Sequence, residues 1–213
     1  MSPRYIPALS FRWLTPLYDP LLKWVMHEET FKRKLIQEAN IQPNMRVLDL
    51  GCGTGTLTIM LKQSIPQATI IGLDGDNDVL ATARSKANQA GVNIQWDQGL
   101  AYDLPYPSAS FDRVVSSLVI HHLVSADKVR TFQEIHRVLR PGGEFHLVDF
   151  GPPHNYYERA LALFDRWLEE AEDNAMGRLP GMMQSAGLQQ VQETFHLTTI
   201  FGSLSMLRAV KGV

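Results

Sequence analysis

The 213-residue sequence has one cysteine, no long apolar run, no internal repeat and no excess of charge of either sign. Because Cys52 has no partner and the histidines lack ligand spacing, we expect no disulfide and no metal site, and a reducing, cytoplasmic setting is the default. No segment reaches the roughly 18–20 apolar residues that span a bilayer, and residues 1–24 lack the unbroken apolar stretch of a signal peptide. The net charge of −2 offers no general attraction to phosphates, so nucleic acid is not expected as a partner.

Apolar residues make up 45% of the chain and charged residues 20%, the usual mixture of a globular protein. The length fits one domain of ordinary size, and no linker offers a boundary at which to divide it. We therefore expect a single domain over residues 1–213. Within it we predict a helical N-terminal lid (1–44), a core (45–151), a helical insertion (152–187) and a C-terminal β-hairpin (188–213).

Short apolar runs alternate with helical patterns, which indicates an α/β fold with a mostly parallel sheet. Five runs read as strands, and they lie at residues 46–51, 69–74, 93–96, 111–117 and 144–150. Two further runs, at residues 189–201 and 203–211, are separated by little more than Gly202 and predict a terminal antiparallel hairpin. The sheet is therefore expected to be mixed.

The sharpest motif is a glycine loop, in which a buried strand at Val47–Leu50 enters Gly51-Cys52-Gly53-Thr54-Gly55 before a helix. Glycines there allow backbone amides to approach a ligand closely. The spacing is neither the G-x-G-x-x-G of dinucleotide folds nor a phosphate loop ending in Lys-Ser/Thr. Asp74 ends the next strand, where a carboxylate can accept hydrogen bonds from both hydroxyls of a ribose. A nucleoside without phosphate fits this pattern best.

Five segments together make the sequence similar to the class I S-adenosylmethionine-dependent methyltransferases over about residues 41–150. They are VLDLGCGTG (47–55), GLD (72–74), GLAYDLPY (99–106), SFDRVVSSLVIHHL (110–123) and RVLRPGGEFHLVDF (137–150). The resemblance implies a Rossmann-like, seven-stranded mixed sheet in which strand seven is antiparallel, with helices on both faces. It also implies S-adenosylmethionine as cofactor, S-adenosylhomocysteine as product and a small-molecule acceptor.

The same resemblance implies roles for individual residues. The loop Gly51–Gly55 would wrap the methionine portion of the cofactor, and Asp49 would brace that loop. Asp74, followed by Gly75, would hold the ribose. Two further residues are implied at the adenine edge and at the sulfonium end, and these are Ala101, through its backbone, and Ser117.

Leu100 departs from the family pattern, because the position before Ala101 is commonly Asp or Asn and accepts a hydrogen bond from the adenine amino group. We expect a backbone carbonyl, a water or Asp103 to accept that hydrogen bond instead. Alternatively, Leu100 simply packs on the adenine ring.

Within the family, the sequence is most similar in texture to the ubiquinone/menaquinone C-methyltransferase branch and its small-molecule relatives. Three segments carry that likeness, and they are TPLYDPLLKW (15–24), DLPYP (103–107) and FGSLSMLRA (201–209). Methyltransferases that act on amines, phenols, sterols and thiols share such segments.

His121 and His122 follow the fourth strand, at the sheet edge where open α/β folds bind ligands, and either is a candidate general base. The alternative is that the pair caps the turn before Ser125. Tyr18 is the candidate lid residue to contact cofactor or acceptor. The aromatic residues around it would otherwise pack on the core, or seat the segment peripherally on a membrane surface.

Other flanking residues allow two interpretations each. His154, Tyr156 and Tyr157 would close over the acceptor or begin a surface helix. Three methionines of the insertion would fill the core or form an adaptable wall for an apolar acceptor, and these are Met176, Met182 and Met183.

The sequence thus predicts S-adenosylmethionine-dependent methyl transfer to a small, hydrophobic acceptor, such as a quinol, phenol, amine or thiol, by in-line displacement. One alternative is a methyltransferase acting on RNA or protein. Another is a catalytically silent, cofactor-binding scaffold. The sequence leaves the oligomeric state open.

Overall fold

The computed structural model describes residues 28–156, 158, 172–200 and 202–213. Tyr18, Tyr157 and the part of the predicted lid at residues 1–27 lie outside the described residues. The described helices and strands are, in chain order, α1 (Glu28–Ala39), β1 (Arg46–Leu50), α2 (Thr56–Ser64), β2 (Thr69–Asp74), α3 (Asn77–Gln89), β3 (Gln95–Gln98), β4 (Phe111–Ser117), a 3-10 turn (Ile120–His122), α4 (Ser125–Val138), β5 (Leu139–Phe150), α5 (Glu172–Ala175), α6 (Leu179–Ser185), β6 (Leu188–Thr199) and β7 (Gly202–Lys211).

The seven strands form one sheet in the order β3-β2-β1-β4-β5-β7-β6. The pairs from β3 through β5 are parallel, and β7 runs antiparallel to both of its neighbours, β5 and β6. The predicted mixed sheet with an antiparallel strand seven is therefore confirmed. In this order the carboxyl ends of β1, β2, β4 and β5 meet at one edge of the sheet, which gathers the loops that follow them.

Apolar side chains bury both faces of the sheet. On one face α4 and α6 contribute Phe132, Ile135 and Met183, all fully buried. On the other face α1 and α2 contribute Phe31 and Leu61. Buried pairs three or four residues apart, such as Phe132 and Ile135 in α4 and Leu57 and Leu61 in α2, share one side of their helix, so the helices lie against the sheet. The expectation of helices on both faces is confirmed.

Two strands differ from the sequence prediction. β3 occupies Gln95–Gln98 rather than residues 93–96. β5 begins at Leu139, directly after α4, rather than at residue 144. Its register against β4 jumps from Phe111↔Leu139 to Arg113↔Glu144, with Gly142 at a φ of 75°. The Pro-Gly-Gly segment therefore forms an irregularity inside a strand.

The predicted insertion and hairpin follow β5. The described part of the insertion contains α5 and α6. β6 and β7 form the antiparallel hairpin at one edge of the sheet. Among the described residues, no helix combines the length and the apolar character that crossing a membrane requires.

Candidate active site

The glycine loop after β1 has a backbone that only glycine adopts easily. Gly51, Gly53 and Gly55 have φ values of 68°, 52° and 77°, in the left-handed region. The amides of Gly51 and Cys52 both donate to the carbonyl oxygen of Leu73, at 2.8 and 2.9 Å. The loop is therefore tied to the end of β2 before α2 begins.

The three glycines differ in what surrounds them. A Cβ on Gly51 would lie 2.4 Å from a methyl group of Val119, and one on Gly55 would lie 2.5 Å from the Trp96 ring. A Cβ on Gly53 would meet nothing within 4 Å. Gly51 and Gly55 are thus required by packing, whereas Gly53 faces open space and keeps its backbone accessible to a ligand.

Asp74 joins the loop to the turn after β2. Its Oδ2 accepts from the amide of Gly53 at 2.8 Å and its Oδ1 accepts from the amide of Asp76 at 3.0 Å. Burial raises the pKa of Asp74, although these backbone hydrogen bonds oppose the rise. Each carboxylate oxygen has a second lone pair, so Asp74 can still accept one hydroxyl on each oxygen.

Asp49 lies under the loop and is almost fully buried. Its Oδ2 accepts from the hydroxyl of Thr58 in the first turn of α2, at 2.6 Å. Burial raises the pKa of Asp49 to about 6. This arrangement braces the start of α2, directly after the glycine loop, and leaves Asp49 away from open space.

Cys52 is also buried in the loop. Burial, followed by the carboxylates of Asp49 and Asp74, raises the pKa of its thiol. The thiol therefore stays protonated at neutral pH, and its contribution to the site comes through the backbone.

Thr54 and Gly75 contact α3 and β3 rather than open space. The Thr54 hydroxyl accepts from the Lys86 ammonium at 2.8 Å. The Gly75 carbonyl oxygen accepts from the Gln98 side chain at 3.2 Å. These contacts hold Thr54 against α3 and Gly75 against β3.

The segment after β3 reaches the same edge of the sheet. The amide of Gly99 donates to the carbonyl oxygen of Asp74 at 3.1 Å. Leu100 and Asp103 then form a short antiparallel bridge, in which the Asp103 amide donates to the Leu100 carbonyl oxygen. Ala101 packs on the core. The structure thus brings Leu100 and Ala101 beside Asp74, while the side chain of Asp103 is exposed.

A clamp from α4 holds this segment, and sequence reasoning missed it. Glu134 accepts from the amide of Leu104 at 2.8 Å. The Arg137 guanidinium donates to the carbonyl oxygens of Leu104 and Tyr106, at 3.0 and 2.6 Å, and also pairs with Glu134. The spacing of three residues between Glu134 and Arg137 is the signal that could have suggested the pair. The DLPYP segment is therefore a docking point for α4.

Ser117 ends β4 at the same edge. Its hydroxyl oxygen is buried and has no hydrogen-bond partner among the residues that the structure describes. The next residue, Leu118, has a φ of 59°, which is strained for a branched side chain. This strained residue turns the chain so that Val119 packs against Gly51.

Asp149, at the end of β5, organises the turn after β4. Its Oδ2 accepts from the amides of Val119 and Ile120, at 3.1 and 2.7 Å. Its Oδ1 lies 2.7 Å from Nδ1 of His121. Burial acts to raise the pKa of Asp149, but the His121 imidazole and the backbone amides outweigh it and hold that pKa below its ordinary value. Because an ionised carboxylate only accepts, Nδ1 of His121 carries the proton.

The two candidate bases therefore differ. The side chain of His121 is 13% exposed and is oriented by Asp149, and its ring also contacts the edge of Phe150. His122 is exposed and its ring lies against that of His121, with centroids 3.9 Å apart. Neither histidine caps α4, whose N-cap residue is Val124. Asp149 lies within the RVLRPGGEFHLVDF segment (137–150), but the sequence pattern predicts no role for it.

The other residues that the sequence suggested as acceptor contacts are His154, Tyr156 and three methionines. They lie apart from the sheet edge that carries the glycine loop, or at the border of that edge. His154 stacks on His196, with centroids 4.3 Å apart, and pairs with Glu193. Tyr156 is 88% exposed. Of the methionines, Met183 is fully buried in the core, Met182 packs beside it and Met176 is exposed. The described residues include no group of three or more His, Cys, Asp or Glu side chains that could hold a metal ion.

Comparisons with known proteins agree on one family. Residues 47–143 match the family described as a methyltransferase domain. The chain is 39% identical over 159 residues to an uncharacterised methyltransferase of Synechocystis sp., covering 74% of this chain and 72% of that protein. It is 38% identical over 146 residues to a demethylmenaquinone methyltransferase of Deinococcus radiodurans, covering 67% of this chain and 59% of that protein.

The fold agrees as well. A solved structure of a SAM-dependent methyltransferase from Methanosarcina mazei superposes with a TM-score of 0.68 at 22% identity, covering 84% of this chain and 97% of that one. The sequence match to the Synechocystis protein extends over more than two thirds of that protein, and it therefore shows membership of the same family as well as a shared fold. The chain belongs to the class I S-adenosylmethionine-dependent methyltransferases, and S-adenosylmethionine is its cofactor.

Proposed function

We propose that this enzyme methylates an apolar acceptor of the phenol or quinol class, and that His121 is the general base that deprotonates the acceptor. The observation that carries the proposal is the 2.7 Å contact between His121 and Asp149 beside the glycine loop. The likeness to a demethylmenaquinone methyltransferase supports the acceptor class.

The residues present fit the cofactor. Gly53 leaves space where a Cβ would stand, and the Ser117 hydroxyl is buried without a partner among the described residues. We propose that Gly51–Gly55 hold the methionine portion, that Asp74 accepts the ribose hydroxyls and that Leu100 and Ala101 lie along the adenine. When bound, S-adenosylmethionine supplies a methyl group carried on a sulfonium.

The acceptor's proton is the part of the reaction that this chain's side chains can control. With Nδ1 of His121 donating to Asp149, the neutral ring presents Nε2 as an acceptor. No described residue hydrogen-bonds Nε2. A hydroxyl proton of the acceptor passes to Nε2, which leaves an electron-rich acceptor and an imidazolium that ionised Asp149 stabilises.

This arrangement favours a hydroxylated acceptor over an amine or a thiolate. A phenol or quinol gains nucleophilicity when it loses a proton, whereas a neutral amine or a thiolate needs little help from a base. A histidine held in one tautomer by a buried carboxylate serves only the first kind of acceptor. The near-neutral charge of the chain gives no support to an RNA acceptor.

Methyl transfer from labelled S-adenosylmethionine tests the proposal, with reduced demethylmenaquinone, a simple phenol and a primary amine as acceptors. We expect transfer to the first two. His121→Gln should lower kcat at least about 100-fold and make the rate rise with pH, because ionisation of the acceptor replaces the base. Cofactor affinity should change less than about threefold, since His121 lies outside the loop.

Two further variants sharpen the result. His136→Gln is a matched control, since this histidine lies in the last turn of α4, which leads into the first residue of β5 at the opposite end of the parallel strands from the glycine loop. A larger loss in His122→Gln than in His121→Gln would show that the wrong base was assigned. Tight cofactor binding without transfer to any acceptor would favour the scaffold interpretation.

A further inference from the structure

A small cavity borders Asp149 on the side where β5 and β7 meet α5 and α6. Its volume is about 80 Å³. Most of its wall is apolar, with Leu147, Leu179 and Leu207 among the lining residues. The polar residues that line it include Asn174 and Ser205. The cavity is thus an apolar recess with a few polar atoms, which is the usual character of a ligand subsite.

Two residues that line this cavity each have a buried polar atom without a partner. The Asn174 side-chain oxygen and the Ser205 hydroxyl are buried and have no hydrogen-bond partner among the residues that the structure describes. Asn174 is 1% exposed and Ser205 is 4% exposed. Buried polar side-chain atoms are nearly always hydrogen-bonded, so two orphaned atoms at one cavity indicate a missing polar group.

Neighbouring groups hold Asn174 in place. Asn174 donates its side-chain amide to the carbonyl oxygen of Phe150 at 3.2 Å, which fixes which end of the amide is the acceptor. Its neighbour Asp173 pairs with Lys128 of α4 and with Arg178. These contacts anchor α5 against the sheet and hold Asn174 at the wall of the cavity.

Ser205 has room only because residue 151 is glycine. A Cβ on Gly151 would lie 2.0 Å from the Ser205 hydroxyl oxygen. Ser205 also pairs with Asp149 across the β5–β7 ladder. Ser205 therefore lies directly across the ladder from the residue that orients His121.

Charge and size limit what the cavity can take. The two carboxylates that line the cavity already have partners, because Asp149 contacts His121 and Glu193 lies 3.3 Å from His154. The cavity therefore offers a cation little favourable electrostatic interaction. A cavity of about 150 Å³ binds benzene, and this recess of about 80 Å³ is roughly half that size, which suits a substituent better than a ring. A neutral hydroxyl can both donate to Asn174 and accept from Ser205.

We propose that this cavity is a subsite for a second oxygen substituent of the acceptor, and that Asn174 and Ser205 select for it. The proposal rests on the proposed function, in which the first hydroxyl meets His121. An acceptor with two ring oxygens then engages both places, whereas a simple phenol engages one.

Binding of two small probes tests the subsite without any turnover. The probes are hydroquinone and 4-methylphenol, which replaces one hydroxyl by a methyl group, each titrated into enzyme saturated with S-adenosylhomocysteine. We expect the wild type to bind hydroquinone at least about tenfold more tightly. Ser205→Ala removes an atom without a partner, so the variant should fold normally and reduce the preference to about threefold or less.

Ser203→Ala is the matched control. Ser203 lies on the same strand and has a buried, unpartnered hydroxyl among the described residues, but it does not line the cavity. We expect it to keep the full preference. A preference that survives Ser205→Ala, an equal loss in Ser203→Ala, or no binding of hydroquinone to the wild type would each overturn the subsite.

The two proposals can fail separately. If no phenol is methylated but the hydroquinone preference depends on Ser205, the subsite stands and the proposed chemistry is wrong. If phenols are methylated in a His121-dependent way but the preference ignores Ser205, the chemistry stands and the subsite is wrong.

Discussion

At the scale of single residues, two equally buried carboxylates, Asp49 and Asp149, have pKa values that are shifted in opposite directions. Asp49 has one side-chain hydrogen bond, from Thr58, and its pKa rises to about 6. Asp149 is equally buried but accepts from His121 and from backbone amides, and its pKa stays below its ordinary value. The number of donors around a buried carboxylate therefore decides whether its ionised form is tolerated.

Asp49→Asn should stabilise the folded protein at pH 7. The folded-state pKa of about 6 lies above the ordinary value of 3.8, so ionising Asp49 costs stability as pH rises from about 4 to about 6. At about 1.4 kcal/mol per pKa unit, the variant should gain up to about 3 kcal/mol at pH 7 and nothing near pH 4. Urea unfolding at both pH values measures the difference.

Asp149→Asn provides the contrast, because its carboxylate is stabilised by its partners. It should lower the free energy of unfolding at pH 7. Equal effects of the two substitutions, in sign and size, would contradict the interpretation of both carboxylates.

The sequence could identify residues whose role follows from local spacing. The glycine loop and Asp74 follow directly on strands that the pattern predicts, and the structure brings them together. It could not identify Asp149 as the partner of His121, because 28 residues separate them. Whether a side chain points toward such a partner depends on the phase of the turn, and the strained Leu118 sets that phase.

At the scale of elements, the glycine loop and the turn after β4 form one packed unit. Val119 fills the space beside Gly51, and Asp149 holds the amide of Val119. The loop proposed to bind the cofactor and the turn that carries His121 are therefore coupled through van der Waals contact. A substitution in either element should therefore alter the packing of the other.

Gly51→Ala should cost about 2–4 kcal/mol of stability, because it adds a clash with Val119 to the strain of a positive φ. In a Val119→Ala background the same change should cost only about 1–2 kcal/mol. Denaturant unfolding of the four proteins in this cycle gives the coupling.

Gly53→Ala is the control at this scale, since its φ is also positive but nothing lies within 4 Å of its Cβ. It should cost about 1–2 kcal/mol whatever stands at residue 119. Additive effects of Gly51→Ala and Val119→Ala would show that the two elements are not coupled.

Element boundaries followed the sequence pattern where local periodicity decides them. α2 and α3 lie between predicted strands, as the alternating pattern indicates, and Asp76 caps α3 through the amide of Asp78. β5 starts early because Leu139 pairs with Phe111 on the neighbouring strand, which is a tertiary contact. A Pro-Gly-Gly segment cannot reveal from the sequence that a strand continues on both sides of it.

At the scale of the whole molecule, acidic groups with shifted pKa values shape the stability profile. Several carboxylates have pKa values below their ordinary range. In Glu144 the main cause is the hydrogen bond from His146, and in Glu134 it is the hydrogen bond from Arg137. Asp49 and Asp74 are shifted upward by burial.

We therefore expect stability to peak on the acidic side of neutrality. Groups with lowered pKa values contribute stability that is present above their ordinary values, near 4, and lost as pH falls further. Asp49 acts in the opposite direction and reduces stability as pH rises from about 4 to about 6, and the raised pKa of Asp74 acts in the same sense. Urea midpoints at pH 3.5, 5 and 7 should be highest at pH 5, and a midpoint that rises steadily from pH 5 to pH 7 would contradict this balance.

The close approach of Gly151 to Ser205 also constrains how this enzyme can change over evolutionary time. A side chain at residue 151 and a hydroxyl at residue 205 cannot occupy the same space. Even an alanine at residue 151 can be accommodated only after residue 205 is replaced by a smaller residue. Substitutions at these two positions, which lie 54 residues apart in the chain, are therefore expected to occur together.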